Sequence, residues 1–340
     1  MPSTTEKASD NHAVPAAVLL LGLPRSGTTW LAKIFDSHPD TLYRHEPDGY
    51  GRLDHLPWAP APESWPQHAD AVRNFGEHLA GLRHAKIAGT LPQFRKNYLN
   101  FIQRAWNRTA IGAVKIAGRA GLKLPVPLWL PNAAVNRALL VTKSIESLAR
   151  AGLLASAQPK AKHVIILRHP CGYTNSVLRG QTGHQFEGNG LVGDMGLLKL
   201  LTEAGCASDY DQSFYDLREL PPLERLIWQW LLICDKALRD CEGLANVRVV
   251  TYEQICADPQ EEIRKLFEWV GLSLDQQTRE FIGASTSTHR ERYYSVYKKP
   301  AIAANAWREQ LPDAIQQRVI RIACQSLAWS RYYSLTARSL

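Results

Sequence analysis

Val18-Leu-Leu-Leu-Gly22-Leu-Pro-Arg25-Ser26-Gly27-Thr28-Thr29-Trp30-Leu31 carries an apolar strand into a Gly/Pro turn and then into a helix. That order gathers backbone N–H groups and the positive end of a helix around one point, a geometry suited to an anion. Gly22 and Gly27 permit close approach of the backbone. Ser26, Thr28 and Thr29 add hydroxyl donors, and Arg25 adds a permanent charge. The segment nearly matches GxxxxGK[ST], but Thr28 stands where the lysine belongs. A nucleoside triphosphatase needs that lysine and a strand-end Asp for Mg²⁺, and no convincing strand of that kind follows. The loop is therefore read as built for a 5′-phosphate that bears something other than a triphosphate.

Outward from this loop, short apolar runs alternate with amphipathic stretches. Ala17–Leu23, Ala138–Val141, His163–Leu167 and Val247–Thr251 read as buried strands. Helices are predicted at Thr28–Ser37, Gly172–Arg179 and Asp258–Val270, the last with Asp258 as N-cap, Pro259 at the first position and Gly271 beyond its end. Such alternation predicts an α/β fold, a single domain with a central parallel sheet flanked by helices on both faces. Gly49–Gln67, rich in Pro and Trp, and Gly180–Pro222, which matches no period, interrupt it and read as long surface excursions.

The 340 residues, 45% hydrophobic and 21% charged, fit a globular chain with a sizeable core. Six cysteines form no CxxC or Cys/His cluster, so neither zinc nor a disulfide framework is indicated, and a reducing, cytoplasmic setting is expected. Residues 1–14 lack a signal-peptide pattern and are expected to be a disordered tail. The apolar stretch from Val14 to Leu23 is too short to span a bilayer. A net charge of +8 favours anionic partners, but no basic, aromatic-interleaved stripe points to nucleic acid. Oligomeric state leaves no signal.

His163-Val-Ile-Ile-Leu-Arg168-His-Pro-Cys-Gly-Tyr-Thr-Asn-Ser176 is a second strand that runs into a helix. Arg168 falls at the strand's C-terminal end, where open α/β sheets bind ligands, and Ser176 lies eight residues on. Together they suit a second phosphate. Two separate anion sites on one sheet suit a ligand that carries two separated phosphates, which ATP does not.

Pro24-Arg-Ser-Gly-Thr-Thr-Trp30 resembles the 5′-phosphosulfate-binding loop of sulfotransferases that use 3′-phosphoadenosine 5′-phosphosulfate (PAPS). Its Arg-Ser-Gly form is similar to the carbohydrate and bacterial branches; the small-molecule branch usually has lysine at Arg25. The Arg168…Ser176 pair resembles the family's 3′-phosphate motif. Thr251-Tyr252-Glu-Gln-Ile resembles a segment that would bring Tyr252 near the adenine, or leave it as a core tyrosine. Trp307-Arg308…Leu311 resembles the C-terminal Trp-basic motif, with Lys298 and Lys299 offset from the usual basic pair.

The resemblance implies a P-loop-like sulfotransferase domain over residues 15–335, with acceptor-side insertions near 49–110 and 180–222. It implies a cofactor site of Arg25, Ser26, Gly27, Thr28, Thr29, Trp30, Arg168, Ser176, Tyr252, Lys298 and Lys299. PAPS is the donor, adenosine 3′,5′-bisphosphate (PAP) the product, and no metal is required. Lys143 is the candidate cation at the sulfuryl group, with Lys115 its rival. The family's usual histidine two residues after that lysine is replaced by Ile145, so Glu46, in Tyr43-Arg-His45-Glu46-Pro47, is the candidate base. Glu46 is otherwise an ion-pair partner of Arg25 or Arg44. His45 should face away from Glu46, as strand neighbours do, and His169 reads as a structural strand-end residue. The acceptor is a hydroxyl on a sugar, glycolipid or hydroxylated metabolite. The competing readings are a P-loop small-molecule kinase and a non-catalytic binder of the bisphosphate.

Overall fold

Parallel pairing organises the chain. In the computed structural model, which describes residues 17–50, 53, 55–122, 124–131, 137–182, 194–287 and 300–334, five strands form one sheet. They are β1 (Ala17–Leu21), β2 (Thr41–His45), β3 (Leu139–Ser144), β4 (Lys162–Leu167) and β5 (Val247–Thr251), in the order β2-β3-β1-β4-β5 with every pairing parallel. The predicted strands are all present. β1 ends two residues early because the chain turns at Gly22, and β3 runs on through Lys143 and Ser144. β2, Thr-Leu-Tyr-Arg-His, is a sheet-edge strand with too polar a pattern to read as buried.

Each face of the sheet has its own core. Leu19 and Leu21 of β1 pack with Ile165 and Leu167 of β4 against the helices Ala151–Ala157, Pro170–Thr182 and Pro222–Asp240. Val18 and Leu20 pack with Val164 and Ile166 against the helix Thr28–Ser37 and the pair Tyr252–Ala257 and Pro259–Val270. Period-two alternation in β1 and β4 therefore feeds both layers, and each fully buried leucine contributes about 2 kcal/mol. The helix after β1 lies on one face and the helix after β4 on the other. Their divergence opens a crevice at the C-terminal ends of these adjacent strands, the switch point of the topology.

The helix from Pro259 to Val270 has the predicted ends: the Asp258 carboxylate accepts the Glu261 N–H at 3.2 Å, and Gly271 closes it at φ 83°. Two readings of irregular sequence need correction. The stretch from 180 to 222 contains helices at Met195–Glu203 and Phe214–Arg218, capped by Asp194 and Ser213. Lys115, the rival to Lys143, ends a short apolar run that is no strand: it sits inside a 19-residue helix, Phe101–Arg119, started by an Asn100–Gln103 capping box.

Candidate active site

The loop after β1 is shaped by two left-handed residues, Arg25 at φ 72° and Gly27 at φ 88°. Gly22 must lack a side chain, because a Cβ there would meet the Ile166 carbonyl oxygen at 2.8 Å. Gly27 lies flat on Tyr252, where a Cβ would come 2.4 Å from the ring. The following helix has no acidic residue in its first turn and no side-chain cap, so its positive end faces the loop uncompensated. Ser26 and Thr28 are buried within the loop, and Thr29 is half-buried. Trp30 turns into the core instead: its indole N–H donates to Ser285 Oγ at 3.1 Å, and its ring meets Tyr252 edge-on.

The second motif joins the first. Arg168 donates to the Arg25 carbonyl at 2.7 Å and to the Ala303 carbonyl at 3.1 Å, while Arg25 Nε donates to Ser176 Oγ at 3.1 Å. Arg168 Nε is buried without a hydrogen-bond partner among the described residues. The Arg168 guanidinium stands 4.7 Å from the centre of the Tyr252 ring. Tyr252 is 8% exposed, so it supports the loop and Arg168 from beneath. Next to it Glu253, which the sequence reading passed over, accepts the His169 N–H at 3.1 Å. Burial raises its carboxyl to about 6, against the pull of Arg168.

His169 is structural, as expected at a strand end. Its ring stacks on Trp307 at 4.6 Å, and burial, with Arg308 and Arg168 nearby, depresses it to about 3. Asn175 donates to Gln310 at 3.0 Å, so the C-terminal Trp-basic motif is docked on the helix that carries Ser176. Lys298 and Lys299 lie outside the described residues.

Lys143 and Glu46 are in direct contact: the ammonium donates to Glu46 Oε1. Glu46 is thus an ion-pair partner, but of Lys143 rather than Arg25 or Arg44. The Glu46 N–H also donates to the Lys143 carbonyl at 2.7 Å. Burial lowers the Lys143 pKa, Glu46 opposes that, and Arg25 adds to it, so the pair lies within the field of the phosphate loop. His45 does not face away. Glu46 adopts φ 43° as it leaves β2, strand alternation stops, and His45 Nε2 lies 3.7 Å from Glu46 Oε1. Burial and the Lys143 charge hold His45 at about 4, hence neutral at pH 7, and Tyr43 OH shares a 2.7 Å hydrogen bond with its Nδ1. Asp48, also missed, accepts from the hydroxyls of Ser144 and Ser147 beside Lys143. The Glu46-Pro-Asp48 spacing was its one sequence signal. Lys115 is depressed by burial and by Lys33 and takes no part in the Lys143–Glu46 contact. Among the described residues no cluster of three or more His, Cys, Asp or Glu side chains is placed to hold a metal.

A family model described as "Sulfotransferase family" matches residues 16–276. Among curated proteins, the nodulation protein NoeE of Sinorhizobium fredii (strain NBRC 101917 / NGR234) is 24% identical over 324 residues, covering 91% of this chain and 64% of that one. The chain therefore spans less than two thirds of that relative's length. Among solved structures, the sulfotransferase domain from the curacin biosynthetic pathway is 16% identical, with 92% of this chain and 97% of that one covered and a TM-score of 0.46. Sulfotransferase STF9 from Mycobacterium avium is 12% identical, covering 94% and 77%, with a TM-score of 0.42. Mouse sulfotransferase SULT7A1, complexed with PAP, is 10% identical, covering 94% and 86%, with a TM-score of 0.42.

Proposed function

The chain belongs to the sulfotransferase family, and on that premise we propose that it transfers a sulfuryl group from PAPS to an acceptor hydroxyl, releasing adenosine 3′,5′-bisphosphate. The observation that carries this reading is the union of the two anion motifs: Arg168 grips the Arg25 carbonyl, and Arg25 grips Ser176, at one crevice. The residues fit a doubly anionic donor. The loop has no side chain at Gly22 or Gly27 and an acid-free helix start, and Arg168 keeps a buried Nε with no partner among the described residues.

When bound, the donor supplies an activated sulfuryl group, whose transfer depends on in-line positioning and charge stabilisation more than on covalent chemistry. The loop amides, Ser26, Thr28, Thr29 and Arg25 hold the 5′ end; Arg168 and Ser176 hold the 3′-phosphate. Lys143 provides positive charge where the departing phosphate gains negative charge. Glu46 takes the proton of the acceptor hydroxyl. In this structure the two neutralise each other. Movement of Lys143 toward the reacting group leaves the Glu46 carboxylate free to act as base. The acceptor class is a hydroxyl on a sugar, glycolipid or hydroxylated metabolite, approached past insertions near 49–110 and 180–222 of a domain over residues 15–335. All six cysteines are unpaired, which suits a reducing compartment such as the cytoplasm.

Calorimetric titration with adenosine 3′,5′-bisphosphate, beside ATP–Mg²⁺, tests the donor. Tight binding of the bisphosphate and little of ATP is expected, and transfer of label from PAPS to a hydroxylated acceptor should follow. Preference for ATP would replace this reading with a kinase; binding without any transfer would leave a nucleotide-binding protein.

A further inference from the structure

From residue 78 to residue 145 the sequence contains no aspartate or glutamate, yet eleven lysines and arginines. The net charge of +8 therefore resides in this span, and the rest of the chain is slightly acidic. The centre of the span is the helix Phe101–Arg119. Only Asn107, Ala110, Ile111 and Val114 of this helix are buried. They form one stripe against Val126.

A second apolar stripe has no cover. Ile102 is 66% exposed, Trp106 50% and Ile116 67%, and Thr109 and Ala113 lie between them at helical spacing. Leu122, Leu124 and Trp129, on the segment after the helix, are about half exposed. Arg104, Arg108, Lys115 and Arg119 fall at a third angular position on the same helix, flanking the open stripe. None of these four cations pairs with a carboxylate among the described residues.

An open apolar stripe rimmed by cations marks a docking surface. A second copy of the chain would bring two acid-free, cationic surfaces together, which like-charge repulsion opposes. Exposed Trp, Phe, Ile and Leu beside unpaired Arg and Lys match instead a boundary that is apolar below and anionic above. We propose that the helix Phe101–Arg119, with the segment that carries Leu124 and Trp129, docks this protein on an anionic lipid surface. The apolar stripe enters the headgroup boundary, and the exposed Arg108 and Arg119 reach lipid phosphates at its flank. No helix among the described residues is long and apolar enough to cross a membrane, so the contact is peripheral. This docking stands independently of what the crevice binds.

Sedimentation with vesicles tests it, using phosphatidylcholine alone and phosphatidylcholine with about one third phosphatidylglycerol. The full chain should pellet with the anionic vesicles, weakly with the neutral ones, and less as salt is raised. Ile102→Glu with Ile116→Glu, and separately Arg108→Glu with Arg119→Glu, should each weaken anionic-vesicle binding by about tenfold or more. All four positions are exposed or unpaired, and melting followed by circular dichroism reports whether each variant is folded. Equal pelleting with both vesicle types, no pelleting, or folded variants that bind as well as the parent would overturn the proposal. So would a dimer in gel filtration that Ile102→Glu with Ile116→Glu converts to monomer, because the stripe would then be covered by a second copy. Loss of bisphosphate binding bears on the crevice alone.

Discussion

A methyl group at Gly27 would have to fit a backbone at φ 88° and a space already filled by the Tyr252 ring, 2.4 Å away. Tyr252 is packed and carries Arg168 above it, so it cannot yield cheaply. Gly27→Ala is expected to destabilise by about 2–4 kcal/mol, from left-handed strain and overpacking together; urea unfolding measures it. At the other end of the crevice, Glu46→Gln keeps a hydrogen-bond acceptor for Lys143 but removes the proposed base. Turnover should fall at least about 100-fold while bisphosphate affinity stays close to that of the parent. Steady-state kinetics beside calorimetry separates the two effects, and turnover near the parent's would place the base elsewhere. Resemblance to the family's motifs named Glu46 and Lys143 as candidates one by one. Their contact was not legible, because it depends on a φ of 43° at Glu46 that aims its side chain back along β3 and sets His45 beside it. A residue pattern carries no sign of where a strand's alternation will stop.

At the scale of elements, Arg168 is a tie between three of them. It leaves the end of β4, grips the loop after β1 through the Arg25 carbonyl, and grips the helix Pro300–Asn305 through the Ala303 carbonyl. Arg168→Ala removes a charge-assisted contact and is expected to cost on the order of 1.5–3 kcal/mol of bisphosphate affinity, about 10- to 150-fold. Arg168→Lys should restore little, since a point charge on a flexible stem cannot span two carbonyls with a planar fork. Calorimetry on both variants checks this, and parental affinity in Arg168→Ala would remove the residue from the phosphate site. The strands flanking this tie were legible because β1 and β4 are buried on both faces and read as unbroken apolar runs. β2 was not legible as a run, since an edge strand needs no such pattern. The helix Phe101–Arg119 escaped for a different reason: it presents two apolar stripes, one buried and one open, so no single amphipathic period stands out.

At the scale of the whole molecule, the fold holds three histidines among the described residues far below their usual value and lowers a fourth, His38. Burial is the largest cause for each, depressing His45 and His163 to about 4 and His169 to about 3, from an unfolded value of 6.5. His163 is fully buried near the start of β4, and neither ring nitrogen finds a side-chain partner among the described residues. Below about pH 6.5 the unfolded chain takes up protons that the folded chain refuses. The stability tied to these groups is therefore complete above that pH and is lost as pH falls toward 4. Glu253 acts in the opposite sense. Its carboxyl rises from 4.5 to about 6 on folding, so its contribution is complete below 4.5 and disappears as pH rises through 6. Burial raises the Asp240 carboxyl as well, but the lowered imidazoles outnumber these two carboxyls, and the sum declines with acid. Each imidazole can contribute up to about 1.4 kcal/mol per pH unit within its window. The urea midpoint should therefore drop steadily from pH 7 to pH 4.5, and His163→Met should make that slope shallower by about one imidazole's share. An unchanged midpoint across this range would mean that the three rings take up protons as readily in the folded chain as in the unfolded one.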